Sequence, residues 1–441
     1  MKKPRVNVSG FNVQNAVARE KRFLLLQGPH GPFYRHLARI LCETGAKVWR
    51  VGFNFGDQAF WRRPNYIAFT ESADKWPAAC AEIFDSKGIT DLVIYGDSRP
   101  IHADAIRLAR ARGVTIHVFE EGYLRPYWVT YERDGSNGNS RLMQISLSEM
   151  RAALARPGAE QPPAPARWGD MREHMFYGAL YHFCVLALNQ RYRLFRPHRG
   201  IGVAQEFHLY LRRLLLWPWH RLERRLTVWH LKRSGFPYHL VLLQLEHDAS
   251  FRTYSDFASM ADFVDLCLAQ FAAGAAKHHH LAFKAHPLED ERVPLPRLIR
   301  EGARRYGLSG RVHFVRGGRL ASLLNDARTA VTVNSTAAQQ VLWRGQPLKA
   351  LGLAVYGKPE FVSPQPLADF FKSPISPDSN AYHDYRQFLL ETSQIPGGFY
   401  SARGRRKALR SVVDKMLSQR DPYEVLLAER EAMRQHIQTV A

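Results

Sequence analysis

The sequence predicts an α/β protein: two Rossmann-like, doubly wound domains facing a cleft, with a basic, aromatic helical insertion. Three observations carry this. Short apolar runs alternate with helical stretches from residue 22 to residue 119. The same rhythm resumes after Pro237 and continues to Leu351. The stretch between them is rich in arginine and aromatic residues and poor in acids. Strands and helices in alternation build parallel sheets with helices on both faces, and such sheets bind ligands at the carboxyl ends of their strands.

Arg22–Leu26 reads as the first strand and ends in Gln27-Gly28-Pro29-His30-Gly31-Pro32. Phe33–Thr44 has helical spacing at Leu37, Ile40 and Leu41 and stops at Gly45, a C-cap. Lys47–Phe53 and Asp91–Tyr95 are strands, the second followed by Gly96-Asp97-Ser98-Arg99-Pro100. The helix His102–Arg112 stops at Gly113, and the strand Val114–Phe119 delivers Glu120 and Glu121. In the second half, His239–Leu245, His280–Ala285, Arg311–Val315, Ala330–Val333 and Pro347–Leu351 read as strands. Ser255–Ala273, Leu320–Asp326 and Ala337–Arg344 read as helices. The expected divisions are an N-terminal domain 1–154, a proline-rich linker and helical segment 155–236, a second domain 237–375 and a C-terminal helical region 376–441.

With 441 residues, 46% of them apolar, the chain can bury full cores and is not a disordered polymer. Cys42, Cys80, Cys184 and Cys267 are far apart, without a CxxC pair. This argues against a disulfide framework or zinc site and for a reducing, cytoplasmic setting. A net charge of +22 attracts polyanions: nucleic acid, an anionic membrane face or phosphorylated substrates. No RNP motif or zinc-finger spacing accompanies that charge, so nucleic acid is not expected as a partner. No window reaches the ~20 apolar residues of a membrane span, so a soluble or peripheral protein is expected. Between Met171 and Ser234, aromatics such as Tyr177, Tyr181, Trp219 and Trp229 interleave with arginines such as Arg212, Arg221 and Arg225. That segment could lie on an anionic bilayer, grip single strands or pack as core.

The acids Glu120 and Glu121, with Gly122 and Arg125 close behind, suit proton handling beside an anion, because neighbouring carboxylates raise one another's pKa. Adjacent strand residues point to opposite faces, so only one of the two faces a ligand. Lys284-Ala285-His286-Pro287 closes a strand. Proline keeps His286 extended, where it serves as anion donor or acid–base group, or as a satisfied half-buried side chain. Asp248 and Ser250 follow another strand, and Asp248 is a candidate nucleophile or a helix cap. Asn334, Ser335 and Thr336 open a helix whose N-terminus suits a phosphate. The loop with Gln27, Gly28, His30 and Gly31 lets backbone approach a ligand but lacks the spacing of a dinucleotide or P-loop site. Asp97, Ser98 and Arg99 could line an acceptor pocket. His278-His279-His280 reads as surface rather than as a metal site.

Taken in order, Gln27–Phe33, Gly96–Pro100, Glu120–Pro126, Asp248–Ser250, His286-Pro287 and Asn334–Thr336 resemble the capsule polysaccharide biosynthesis/export family of the KpsS/LipB type. The resemblance implies a GT-B-like, retaining β-Kdo glycosyltransferase of a Gram-negative bacterium. It implies CMP-Kdo as donor and a phosphatidylglycerol-type lipid as acceptor, with no other cofactor and no metal. The expected setting is the anionic inner face of the inner membrane, alongside a KpsC-like transferase and the capsule export machinery. Carried over, Asp248, Glu120 or Glu121, and His286 are catalytic, and Asn334, Ser335 and Thr336 hold the CMP phosphate. The family pattern at the aspartate is Asp-Ser-Gln, whereas this chain has Asp248-Ala249-Ser250, so Glu246 is an alternative nucleophile. A non-catalytic assembly or export factor is the alternative reading.

Overall fold

The computed structural model describes residues 20–154, 170–194, 203–289 and 291–427. These contain twelve strands: β1 Arg22–Leu25, β2 Lys47–Gly52, β3 Tyr66–Ala68, β4 Asp91–Tyr95, β5 Thr115–Glu121, β6 Trp128–Arg133, β7 Tyr238–Leu242, β8 His280–Lys284, β9 Val312–Val315, β10 Ala327–Thr332, β11 Leu348–Ala350 and β12 Gln394–Pro396. One sheet has the order β12-β6-β5-β4-β1-β2-β3, and the other β11-β10-β7-β8-β9. Strands β1 to β5 are parallel, β6 runs antiparallel to β5, and β12 antiparallel to β6. The second sheet is parallel throughout.

Counted from its own first strand, each sheet has the doubly wound order 3-2-1-4-5. The order therefore reverses between β1 and β4, and again between β7 and β10. In doubly wound sheets such a reversal is where a crevice forms outside the carboxyl ends of the strands. The central strands are near-continuous apolar runs because both faces are covered; every residue of β7 is buried. In the first sheet, one face packs Phe33, Leu37, Phe119 and Phe399, and the other packs Leu24, Trp76, Ile94 and Ile116. The second sheet packs Val241, Phe263, Phe283 and Phe371.

The fold class is as expected, but the divisions differ. Two compact units share the described residues. The first takes those up to Ser140, those between 155 and 198, and those from Leu389 onward. The second takes Arg141–Leu154 and the stretch from 199 to Phe388. The expected insertion 155–236 is thus no separate body: the helix Asp170–Ala187 belongs to the first unit and the helix Val203–Arg233 to the second. The expected C-terminal region 376–441 also divides, because β12 pairs with β6 and the helix Ala402–Leu417 buries Leu409, Val412 and Met416 in the first core. The linker expected at Ala155–Arg167 lies outside the described residues. The long helix expected from Ser255 starts instead at Met260, where Ser259 and Asp262 form a capping box.

The triple histidine is another departure. His278 is exposed, but His279 is buried and pairs through Nδ1 with Nε2 of His239 at 3.1 Å. The other nitrogen of His239 meets Thr329 Oγ1 at 2.8 Å. His280 stacks on Phe236 at 3.6 Å and meets His313 at 2.8 Å. The reason is positional: β8 enters the sheet at His280, and its neighbours supply His239 and His313.

Burial pushes His239 down to about 3 and His313 down to about 4, and it lowers His279 and His280 as well. The unfolded chain then binds protons below about pH 6.5 that the folded chain refuses. Stability is full above that pH and falls as pH drops toward 4. Melting temperatures measured from pH 7 to pH 4 should decline, and His239→Gln/His313→Gln should flatten the decline.

Candidate functional site

In the second unit the chain leaves β7 at Leu242 and reaches Gln244 at the reversal. Gln244 Nε2 donates to Asn334 Oδ1 at 2.8 Å, and the Asn334 backbone N–H donates to Gln244 Oε1 at 3.0 Å. Asn334 Nδ2 donates to the carbonyls of Ser250 and Tyr254 at 3.0 and 3.3 Å. Both amides are buried. The Asn334 side chain, expected to hold a phosphate, is therefore spent on joining β10 to the end of β7. Ser335 Oγ caps Ala337 N at 3.2 Å. The helix expected at 337–344 is a 3-10 turn, Thr336–Ala338, and a single turn, Gln339–Leu342, so its dipole is small.

Asp248 is exposed and N-caps the short helix Ala249–Thr253, accepting from Ser250 N at 3.0 Å. Glu246 is half-buried, and its Oε2 accepts from Met260 N at 2.8 Å. The two acids lie around a turn beyond β7. His286, past the end of β8, accepts the Leu288 N–H on Nδ1 at 3.1 Å. That bond leaves the ring proton on Nε2, as a donor. Lys284 is buried and donates to the Ala285 carbonyl at 3.3 Å. Burial, with Arg224 adding to it, lowers its pKa to about 8. Asp248, His286 and Thr336 thus follow the ends of three neighbouring strands.

In the first unit, strand alternation separates the paired acids. Glu121 Oε1 accepts from the hydroxyls of Tyr95 and Tyr400, each at 3.1 Å. Glu120 Oε1 accepts from Glu121 N at 2.9 Å. Its Oε2 lies 3.1 Å from the point where a Cβ on Gly96 would stand, and Gly96 has φ +68°. A residue with a side chain there would meet both strain and the carboxylate. Arg125 is exposed, its Nε donating to the Gly122 carbonyl at 3.2 Å. Asp97, expected in an acceptor pocket, is buried and accepts from Ser136 N at 2.8 Å and Asn139 Nδ2 at 3.1 Å. It holds the turn after β6. Ser98 is half-buried, and Arg99 lies 5.6 Å from the Tyr95 ring.

The first glycine loop is shaped by the protein's own rings. A Cβ on Gly28 would come 2.5 Å from the Tyr34 ring, and one on Gly31 would come 3.0 Å from Tyr177. The glycines make room for tyrosines, where the sequence suggested a ligand. His30 stacks on Tyr181 at 4.3 Å, and the Tyr181 hydroxyl accepts from Asn54 Nδ2 at 2.6 Å. Gln27 Nε2 donates to Asp57 Oδ2 at 3.1 Å, and Asp57 pairs with Arg50 Nη2 at 3.3 Å. Arg50 escaped the sequence reading. A lone charge within the apolar run of β2, with an acid seven residues later, was the available signal.

A family model for capsule polysaccharide biosynthesis proteins matches residues 90–400. The chain belongs to the capsule polysaccharide biosynthesis family. It is 28% identical to the capsule polysaccharide export protein KpsS of Escherichia coli over 384 residues, covering 86% of this chain and 97% of that protein. It is 30% identical to the capsule polysaccharide modification protein LipB of Neisseria meningitidis serogroup B over 400 residues, covering 88% of this chain and 94% of that one. Among solved structures, it aligns with the β-Kdo 2,7 transferase of Thermosulfurimonas dismutans KpsC at 11% identity and a TM-score of 0.40, over 90% of this chain and 100% of that one. A likeness that distant carries no argument about chemistry.

The resemblance of the motifs therefore holds at the level of the family. Within this capsule-family chain, the motif residues divide into fasteners and exposed groups. Asn334, Gln27, Asp97, Glu121 and Glu246 are fasteners. Asp248 and Arg125 are exposed. Asn334→Ala strands the Gln244 amide and two carbonyls, so it should lower stability by about 2–3 kcal/mol, read from the denaturant midpoint. A residue serving only a ligand would leave that midpoint unchanged. Gly28→Ala should cost about 1–3 kcal/mol by overpacking Tyr34, read in the same way.

Proposed function

We propose that this capsule-family protein transfers Kdo from CMP-Kdo to a phosphatidylglycerol-type lipid, retaining the anomeric configuration and starting the linker of a capsular polysaccharide. One observation carries the reading. At the reversal point of the second sheet, Asp248 stands exposed on a turn, while its competitor Glu246 is bound to a helix N-terminus. His286 and Thr336 follow the two strands flanking β7.

In the proposed reaction the Asp248 carboxylate attacks the anomeric carbon and CMP departs with the bonding electrons. Glu120 then takes the proton of the acceptor hydroxyl, whose oxygen displaces the carboxylate and restores the original configuration. The Nε2–H of His286 donates to the departing phosphate. Arg125 balances the sugar acid's own carboxylate. Glu121, tied to two tyrosines, positions Glu120 through its backbone. A KpsC-like partner extends the product ahead of export. The acceptor is a lipid, so the enzyme works peripherally at the inner face of the inner membrane.

The test is incubation with CMP-Kdo and a short-chain phosphatidylglycerol, followed by mass spectrometry. The expected product is the lipid carrying one Kdo. A folded protein that yields no adduct sinks the proposal and favours a non-catalytic assembly or export factor. Asp248→Ala should lower kcat about a thousandfold or more. Glu120→Gln should lower it about 10²- to 10⁴-fold. Full activity in Asp248→Ala would move the nucleophile to Glu246.

A further inference from the structure

The helix Val203–Arg233 is seated the wrong way round for a soluble protein. Its inward contacts are largely polar. Glu223 pairs with Arg316 at 2.7 Å, and Arg316 pairs with Glu291 at 2.7 Å. Glu291 also meets His220 at 3.3 Å and Arg212 at 3.7 Å. Arg224 lies against Gly318, and among the described side chains of this helix only Leu231, near the C-terminal end, is an apolar one turned fully inward.

The outward face is apolar. Leu215, Trp219, Leu222, Leu226 and Trp229 are 72, 66, 48, 57 and 58% exposed. Their spacing of four, three, four and three confines them to roughly 80° of the helix circumference. Arg221, Arg225 and Lys232 follow a row roughly 100° to one side. Trp229 closes the stripe with Arg233 over its ring at 5.5 Å. Monomeric soluble proteins rarely leave such a stripe uncovered. The polar seat prevents the helix from rolling to bury it, because rolling would break the Glu223 and Glu291 ion pairs. The helix Asp170–Ala187 of the first unit likewise exposes Met175, Phe176, Leu180 and Phe183.

We propose that the stripe Leu215–Trp229 is an in-plane docking face for an anionic lipid bilayer. The leucines enter the acyl boundary, the tryptophans sit at headgroup depth and the basic row engages lipid phosphates. Charge decides the occupant. A partner helix would fit the spacing, but it would not need a one-sided cationic row on a chain already carrying +22. The inference deepens the reading of a lipid acceptor by assigning the surface that brings the enzyme to it.

The test is sedimentation of the full chain with vesicles of phosphatidylcholine alone or with phosphatidylglycerol added. Binding is expected to the anionic vesicles and to weaken with salt. Trp219→Ser/Trp229→Ser should reduce it about tenfold or more, and Arg221→Gln and Arg225→Gln about fivefold each. Circular dichroism of each variant confirms its fold. Unchanged vesicle binding in the tryptophan variant overturns the proposal. So does a wild-type self-association that the variant abolishes while vesicles stay unbound, which would make the stripe a helix–helix interface. The two readings separate in the wild type. Vesicle binding without transfer to the short-chain acceptor supports the docking face and sinks the reaction. Transfer without vesicle binding does the reverse.

Discussion

The pair of hydrogen bonds between Gln244 and Asn334 ties two strand ends together at the reversal of the second sheet. Two parallel strands, β7 and β10, end side by side in a buried setting, and their departing chains need polar groups satisfied without water. The Gln244 amide donates to Asn334 Oδ1 and accepts from the Asn334 backbone N–H, and Asn334 Nδ2 reaches on to the turn that carries Asp248 and Ser250. The first unit uses a related device. Gln27, like Gln244, stands two residues past its sheet's first strand, and it reaches Asp57, which is fixed in turn by Arg50. In that buried ion pair the Nε and Nη1 atoms of Arg50 have no bonded partner among the described residues. The guanidinium lies near the Tyr34 and Trp61 rings instead, at 5.9 and 5.7 Å.

This demand for fasteners sorts the acids. Each unit has two carboxylates near the end of a key strand, and the two take different kinds of partner. Glu121 takes two tyrosine hydroxyls, and Glu246 takes a helix N–H. Glu120, on β5, takes the Glu121 N–H and lies beside Gly96 after β4, and Asp248 caps the exposed turn. A third acid, Glu132, is buried beneath the hydroxyls of Tyr123, Ser140 and Tyr423, and burial raises its pKa to about 7. It ties the returning C-terminal segment to the first sheet and contributes no exposed carboxylate.

The aromatic, basic middle of the chain divides along the same logic. Tyr177 and Tyr181 turn inward onto glycines and His30, so part of the segment is core. Leu215, Trp219, Leu222, Leu226 and Trp229 of the helix Val203–Arg233 turn outward because its polar face is already fastened to Arg316 and Glu291. Composition alone offered core, a face for an anionic bilayer and a grip on single strands as alternatives. The helix Asp170–Ala187 is partly core, and the helix Val203–Arg233 keeps an apolar stripe exposed.

The sequence by itself determined the two α/β halves, nine of the twelve described strands, the family and the strand-end positions of the motif residues. Buried parallel strands and their glycine or proline stops are local patterns of hydrophobicity and turn chemistry, so they survive without coordinates. β3, β6 and β12 did not: the three-residue β3 and β12 have no period to read, β12 gains its partner from some 260 residues away, and β6 is an antiparallel return beside β5, outside the β-α rhythm. Only the tertiary structure decided which polar residues are free. Asn334, Asp97 and Gln27 have the same composition and local spacing whether they bind a ligand or a neighbour. A hydrogen bond is set by a few tenths of an ångström across strands that are distant in sequence, and that distance is written in the packing of the sheets.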